Sequence, residues 1–306
     1  ISDSLFIDSH NGKKKTLGSG SVNGEAYKSC TLDNKFCIAI KQIPDKNSVI
    51  GIKNKYSKEA SKIEEWVEII AMDLCQLLIQ QDICPNLPVV YSNFICENCE
   101  YTNSGLKNMK NKPCFVTVNE LAIWGDGLNF FKTEFVRLLH SGINCDKLIN
   151  SILFQIYAGL YSLQKYFNMT HHDLHMGNIL FTPIPMDDRF IKYTIDKKDY
   201  YIPNYGFIVT LWDFGYAFIP GKLMRGDSME YYTDLQPYNI KNVTKIIPDW
   251  VQIPRLNVDY NRITSQISMF LKKNIPVKSR VCDVIIHKFN KGENLKDIIQ
   301  SFTVFQ

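Results

Sequence analysis

The sequence predicts an α+β chain in two lobes, a β-rich N-terminal lobe carrying one helix and a mainly helical C-terminal lobe. Three observations carry that expectation. Short apolar stretches punctuated by glycine fill the first forty residues. Ile63, Trp66, Val67, Ile70, Leu74, Leu77 and Leu78 recur at helical spacing, and so do Leu148, Ile152, Ile156, Leu160 and Leu163 beyond a break at Gly125 to Gly127. With 306 residues, 45% hydrophobic and 22% charged, the chain can bury a substantial core.

The elements follow in order. Gly18 to Gly24 reads as a turn in a small antiparallel sheet, and Phe36 to Ile40 as a strand ending at Lys41. Residues 44–58 are a polar, basic loop, and the helix after it stops before Pro85. Pro88 to Tyr91 and Cys114 to Val118 read as strands flanking a cysteine-containing insert at about 92–113. Residues 119–128 divide an N-lobe, 1–118, from a C-lobe, 129–306. A helix from Lys147 to Phe167 is buried on one face, Phe190 to Tyr201 begins a long hairpin with a turn at Pro203 to Gly206, and Phe207 to Trp212 is a strand that delivers Asp213.

Charge and cysteine content exclude several classes. Lys and Arg number 35 against 31 Asp and Glu, a surplus of +4 spread along the chain, so no nucleic-acid partner is expected. No apolar run reaches the roughly 18 residues of a membrane span. The first residues lack both an initiator Met and a secretory pattern, so the expectation is a chain that begins inside a longer protein. Nine cysteines, an odd number, suggest a reducing, cytoplasmic compartment with free thiols. Cys96, Cys99 and Cys114 form a metal-like cluster, but structural zinc takes four ligands and no fourth lies nearby in sequence, so the insert reads as one with free thiols, with zinc as the alternative.

The chemistry lies in three segments. HHDLHMGNIL places Asp173 and Asn178 after a buried helix and before an apolar pair, so that two oxygen-bearing side chains face one cleft. LWDFGYA puts Asp213 at a strand end before Gly215, where a carboxylate can hold a hard cation. Ala39-Ile40-Lys41 sends a lysine from a buried strand. Together they make an Mg-nucleotide site the expectation.

In these residues the chain resembles the protein-kinase superfamily over about residues 16 to 218: Asp173 and Asn178 match its catalytic loop, Asp213-Phe214-Gly215 its metal-binding triplet and Lys41 its strand lysine, in the required order. The resemblance implies transfer of the γ-phosphate of ATP to a protein substrate with Mg²⁺ as cofactor. It gives Lys41 the α- and β-phosphates, Asn178 and Asp213 the metal, and Asp173 the acceptor hydroxyl and its proton. Glu64, Glu65 and Glu68 compete as partner of Lys41; Glu68 is the choice because it stands four residues before Met72 and ahead of the post-helix turn Cys84 to Leu87. Gly18-x-Gly20-x-x-x-Gly24 resembles the loop that covers the nucleotide, with its third glycine one residue late, and Glu120, Leu121 and Ala122 correspond to the hinge whose backbone reads adenine.

The departures point to subclass and control. His172 stands where many of these enzymes have Arg and His175 where serine/threonine kinases carry Lys; with His171 they read as structural imidazoles rather than metal ligands. No Ala-Pro-Glu ends the activation segment, in which Ser228, Tyr231, Tyr232 and Thr233 are candidate phosphorylation sites. The hairpin and the cysteine insert look like those of divergent serine/threonine kinases of large cytoplasmic DNA viruses, which implies a host-cytoplasmic or virion setting. Two rivals stand beside the protein-kinase reading: a small-molecule phosphotransferase of the choline or aminoglycoside type, supported by HHDLH, and a pseudokinase scaffold, supported by the irregular glycine loop.

Overall fold

A computed structural model of the chain describes residues 5–7, 9–10, 13–14, 16–21, 24–31, 35–46, 64–102, 104–219, 258–275 and 279–302. The candidate phosphorylation sites Ser228, Tyr231, Tyr232 and Thr233 lie outside the described residues. The N-terminal region is a six-stranded antiparallel sheet built on β1 (Leu5–Ile7), β4 (Thr16–Ser21), β5 (Gly24–Thr31), β6 (Cys37–Pro44), β7 (Val90–Cys99) and β8 (Lys112–Glu120), in the order β1-β5-β6-β8-β7 with β4 also on β5. The short pair β2 (Ser9–His10) and β3 (Lys13–Lys14) stands apart from it. One helix, α1 (Glu64–Gln80), packs Trp66, Val67, Ile70 and Leu78 into the core that includes Ile43 and Phe115 of the sheet.

Several sequence boundaries are corrected here. The expected turn at Gly18 to Gly24 is corrected, because β4 runs through Gly18 and Gly20 to Ser21 and β5 begins at Gly24, residues 22–23 lying outside the described residues. Gly24 is required by close approach: a Cβ there would lie 2.5 Å from the Gln42 carbonyl oxygen of the neighbouring strand. β6 does not end at Lys41 but continues to Pro44, which stands opposite Cys114. A lysine read as a strand end is buried in mid-strand because carboxylates from elsewhere in the fold neutralise it. β7 extends into the expected insert as far as Cys99, its pairing with β8 shifting register between Cys96 and Cys99.

The expectation of free thiols is corrected as well. Cys30 and Cys37 face each other in the β5–β6 register and are bonded, and Cys99 is bonded to Cys114 across the β7–β8 arm; Cys96, next to that bridge, is a free cysteine. Strand pairing selects these partners, and parity of the cysteine count carries no trace of it. The arm is further clasped to the sheet by buried Glu25, which accepts from the Tyr27 hydroxyl and, at 2.9 Å, from the Thr102 N–H. Burial and the neighbouring carboxylate hold the Tyr27 phenol far above its ordinary range.

The C-terminal region is mainly helical: α2 (Gly127–Lys132), α3 (Glu134–His140), α4 (Cys145–Phe167), α5 (Val258–Asn274), α6 (Val281–Asn290) and α7 (Leu295–Gln300). Helix α4 is its axis. The Asn144 side chain caps it by accepting from the Lys147 N–H, and Asn168 ends it in the left-handed conformation that Asn tolerates. Against α4 lies the two-stranded sheet of β9 (Ile179–Pro183) and β12 (Phe207–Leu211), where Phe130 stacks on Phe181 with ring centroids 3.7 Å apart. Strands β10 (Phe190–Ile195) and β11 (Lys198–Pro203) form a hairpin whose turn is at Asp196 and Lys197, which corrects the expected turn at Pro203 to Gly206: Pro203 ends β11, and β12 pairs with β9 instead. Asp196 at its tip accepts from Tyr161 and Lys165 of α4, at 2.6 and 2.7 Å, and pairs with Lys296 of α7 at 2.8 Å. Among the described residues no helix is long and apolar enough to cross a membrane.

Candidate functional site

Register brings Asn178 and Asp213 to the same end of one sheet. In the β9–β12 pair Ile179 stands opposite Leu211, so Asn178, just before β9, and Asp213, just after β12, emerge at one end of the same two-stranded sheet. The Trp212 N–H donates to the Asn178 carbonyl at 2.9 Å, which extends that pairing by one residue. Asp213 then turns out of the sheet with a φ of 63°, a left-handed conformation that costs energy in a residue other than Gly.

Lys41 reaches this end from β6. Its ammonium lies 2.5 Å from Glu68 Oε1 and 3.0 Å from Asp213 Oδ1. Burial alone would depress the Lys41 ammonium, but the Asp213 and Glu68 carboxylates outweigh it and hold the group above the ordinary lysine range. Burial likewise opposes ionisation of Asp213, and Lys41 prevails there, keeping that carboxyl below its usual range. Of the competing glutamates, Glu65 instead accepts from the Lys46 N–H at 3.1 Å, and the side chain of Glu64 lies outside the described residues.

The loop between α4 and β9 is held by its own histidines. His171 Nε2 donates to the Trp212 carbonyl at 2.8 Å, which leaves Nδ1 as the acceptor facing the Asp173 N–H. His172, at a φ of 66°, stacks on Phe218, and burial pushes its imidazole below the ordinary range. His175 accepts from the Gly177 N–H at 3.0 Å; burial lowers it, with Asp173 opposing and Arg262 assisting. Asn178 donates through Nδ2 to the Asp173 carbonyl at 2.9 Å, leaving its side-chain oxygen as the acceptor.

The remaining expected residues lie in the N-terminal sheet and the segment that follows it. Gly18 and Gly20 belong to β4 and Gly24 to β5, so the glycine-rich segment is part of the sheet. Glu120 ends β8 with its N–H donated to the Val89 carbonyl, and the Ala122 carbonyl accepts from Gly125. Sequence reasoning missed three further residues, all on α5. Asp259 accepts from the His171 N–H at 2.8 Å, Arg262 Nη1 lies 2.9 Å from Asp173 Oδ1, and Gln266 accepts from the Met176 N–H at 3.0 Å. Their spacing of three and four residues on an otherwise apolar-patterned helix is the signal that was available.

The donor set suits a hard cation. Asp213 and Asn178 offer a carboxylate and a carboxamide oxygen, and among the described residues no group of three or more His, Cys, Asp or Glu could hold a metal. Two protein oxygens are what a small divalent ion needs when phosphate and water complete its shell.

No protein-family model matches the chain. It is similar to the probable serine/threonine-protein kinase 380R of Invertebrate iridescent virus 6, with 27% identity over 210 residues, 67% of this chain and 36% of that protein. A probable serine/threonine-protein kinase of Dictyostelium discoideum is 39% identical over 71 residues, 22% of this chain and 6% of its own length. The uncharacterized protein 011L of Invertebrate iridescent virus 3 is 26% identical over 140 residues, 45% of this chain and 18% of that protein. The chain thus spans about a third of the length of the first relative and less of the others. The similarity is kinase-like at the level of the superfamily, and the β-rich N-terminal and helical C-terminal regions are compatible with such a fold.

Proposed function

We propose that the chain is a serine/threonine protein kinase of two lobes, 1–118 and 129–306 joined by 119–128, with Mg-ATP between them. The observation that supports this reading best is the buried Lys41 ammonium held jointly by Glu68 from α1 and Asp213 from the other lobe, beside Asn178. Lys41 binds the α- and β-phosphates, and the glycines of β4 and β5 and the backbone at Glu120 and Ala122 face the nucleotide. Mg²⁺, held by Asp213 and Asn178, supplies charge neutralisation at the phosphate oxygens when bound.

Asp173 orients the hydroxyl of a Ser or Thr. The hydroxyl oxygen bonds to the γ-phosphorus while the bond from that phosphorus to the β–γ bridging oxygen breaks; ADP leaves with the electron pair, and the hydroxyl proton passes to the Asp173 carboxylate. Little covalent work falls to the protein, so positioning decides the rate.

The test is transfer of labelled γ-phosphate, with mixed proteins, sugars and amines as parallel acceptors and Asp173→Asn as the control. Label on Ser or Thr that falls by at least about 10²-fold in Asp173→Asn, with nucleotide affinity retained, is the expected result. Label on a sugar or amine would move the reading to a small-molecule phosphotransferase. Mg-ATP binding without transfer to any acceptor would make the chain a nucleotide-binding scaffold.

A further inference from the structure

Three side chains of α5 grip the loop around Asp173 from one helix face. Asp259 and Gln266 hold backbone, at the His171 and Met176 N–H groups, and so set the path of the loop. Arg262, between them, does something different: its Nη1 is 2.9 Å from the carboxylate oxygen Oδ1 of Asp173. Among the described residues the other basic side chain near this carboxylate is His175, whose Nε2 stands 3.8 Å from Oδ2, beyond hydrogen-bond reach. The two oxygens of Asp173 are therefore unequal, one claimed by a guanidinium and the other not.

An unrestrained carboxylate rotates about its last torsion and presents either oxygen. A charge-assisted bond from Arg removes that freedom, and the guanidinium keeps its charge at every working pH. In phosphoryl transfer that restraint is favourable, because the loose transition state depends on an aligned acceptor.

Resting on the kinase reading, we propose that Arg262 is a positioning residue for phosphoryl transfer: it fixes Oδ1 of Asp173 and thereby reserves Oδ2 for the acceptor hydroxyl. The role belongs to charge placed at one point, which separates it from a purely structural contact. Both partners of the pair are partly exposed, at 40% and 30% of their side chains, so the folded state tolerates the loss of the contact.

The experiment compares wild type, Arg262→Ala, Arg262→Lys and the double variant Arg262→Ala/His175→Lys in kcat, KM for ATP, nucleotide affinity measured without turnover, and melting temperature. Arg262→Ala is expected to lose about 10²-fold in kcat, with ATP affinity and melting temperature nearly unchanged. Arg262→Lys recovers part of the loss, and so does the double variant, which returns a cation to Asp173 from two residues along the chain. Wild-type kcat in Arg262→Ala would overturn the assignment, and so would a faster Arg262→Ala, which would make the guanidinium a plug on Asp173. A loss that neither lysine repairs would make the contact structural and overturn it equally. Those outcomes leave the kinase reading standing, whereas a wild-type protein that binds Mg-ATP and transfers nothing overturns that reading and the role of Arg262 with it.

Discussion

A lysine only 4% exposed inside a strand is stable because two carboxylates reach it, one from α1 and one from the end of β12. Removing one member of such a pair leaves a buried charge without compensation, which costs about 3–5 kcal/mol. Lys41→Ala is expected at the lower end of that range, since Asp213 keeps some access to water, and it should weaken nucleotide binding at the same time. Urea unfolding and a nucleotide titration on one preparation check both; an unchanged midpoint would show that the buried pair contributes nothing net. At this scale the sequence was legible where spacing decides contact. Glu68 meets Lys41 and Glu65 meets the Lys46 N–H, because residues three apart share a helix face and a rise of about 4.5 Å sets each beside a different point of the facing chain. Arg262 left only its spacing on α5 as a trace, since nothing local ties it to a loop 89 residues earlier.

Among the elements, the β10–β11 hairpin depends on one carboxylate. Asp196 is held well below the usual carboxylate range by hydrogen bonds from Lys165, Lys296 and Tyr161. Because its folded-state pKa is depressed, its stabilising contribution is complete above the ordinary aspartate value of about 3.9 and is lost as pH falls from there toward the folded value. Asp196→Asn should therefore flatten the acid limb of the stability curve below about pH 4 while lowering stability at neutral pH. Thermal melts of both proteins from neutral to strongly acidic pH measure it, and parallel acid limbs would refute it. The elements also show where sequence reading stops. Helices α1 and α4 were visible because a 3.6-residue period is written locally. The extent of β7 and the Cys99–Cys114 bond were not, because both depend on which distant strand lies alongside.

Across the whole molecule, buried Asn86 joins the two regions. Its Nδ2 donates to the Val209 carbonyl at 2.7 Å and to Gln155 Oε1 at 3.2 Å, and its own carbonyl accepts from the Leu211 N–H at 3.0 Å. Gly159 makes room for this crossing, since a Cβ there would lie 3.4 Å from the Asn86 carbonyl oxygen and 2.9 Å from Leu211 Cδ1. Asn86→Ala strands the Val209 carbonyl, at about 1–3 kcal/mol, while Gln155 Oε1 keeps the Val209 N–H. The expected result is a loss of about 1–3 kcal/mol in urea unfolding, with fluorescence and circular dichroism no longer giving coincident transitions. Coincident transitions at the wild-type midpoint would refute it.

That anchor also makes α1 a lever. Its C-terminal end is pinned by the turn that carries Asn86, while Glu68 lies a dozen residues up the helix from Gln80, a lever arm of about 18 Å. A tilt of about 10° around such a fulcrum moves Glu68 by ~3 Å, more than its reach to Lys41 allows. A ligand that braces the sheet or the N-terminal end of α1 therefore acts on the lysine by leverage, without touching it.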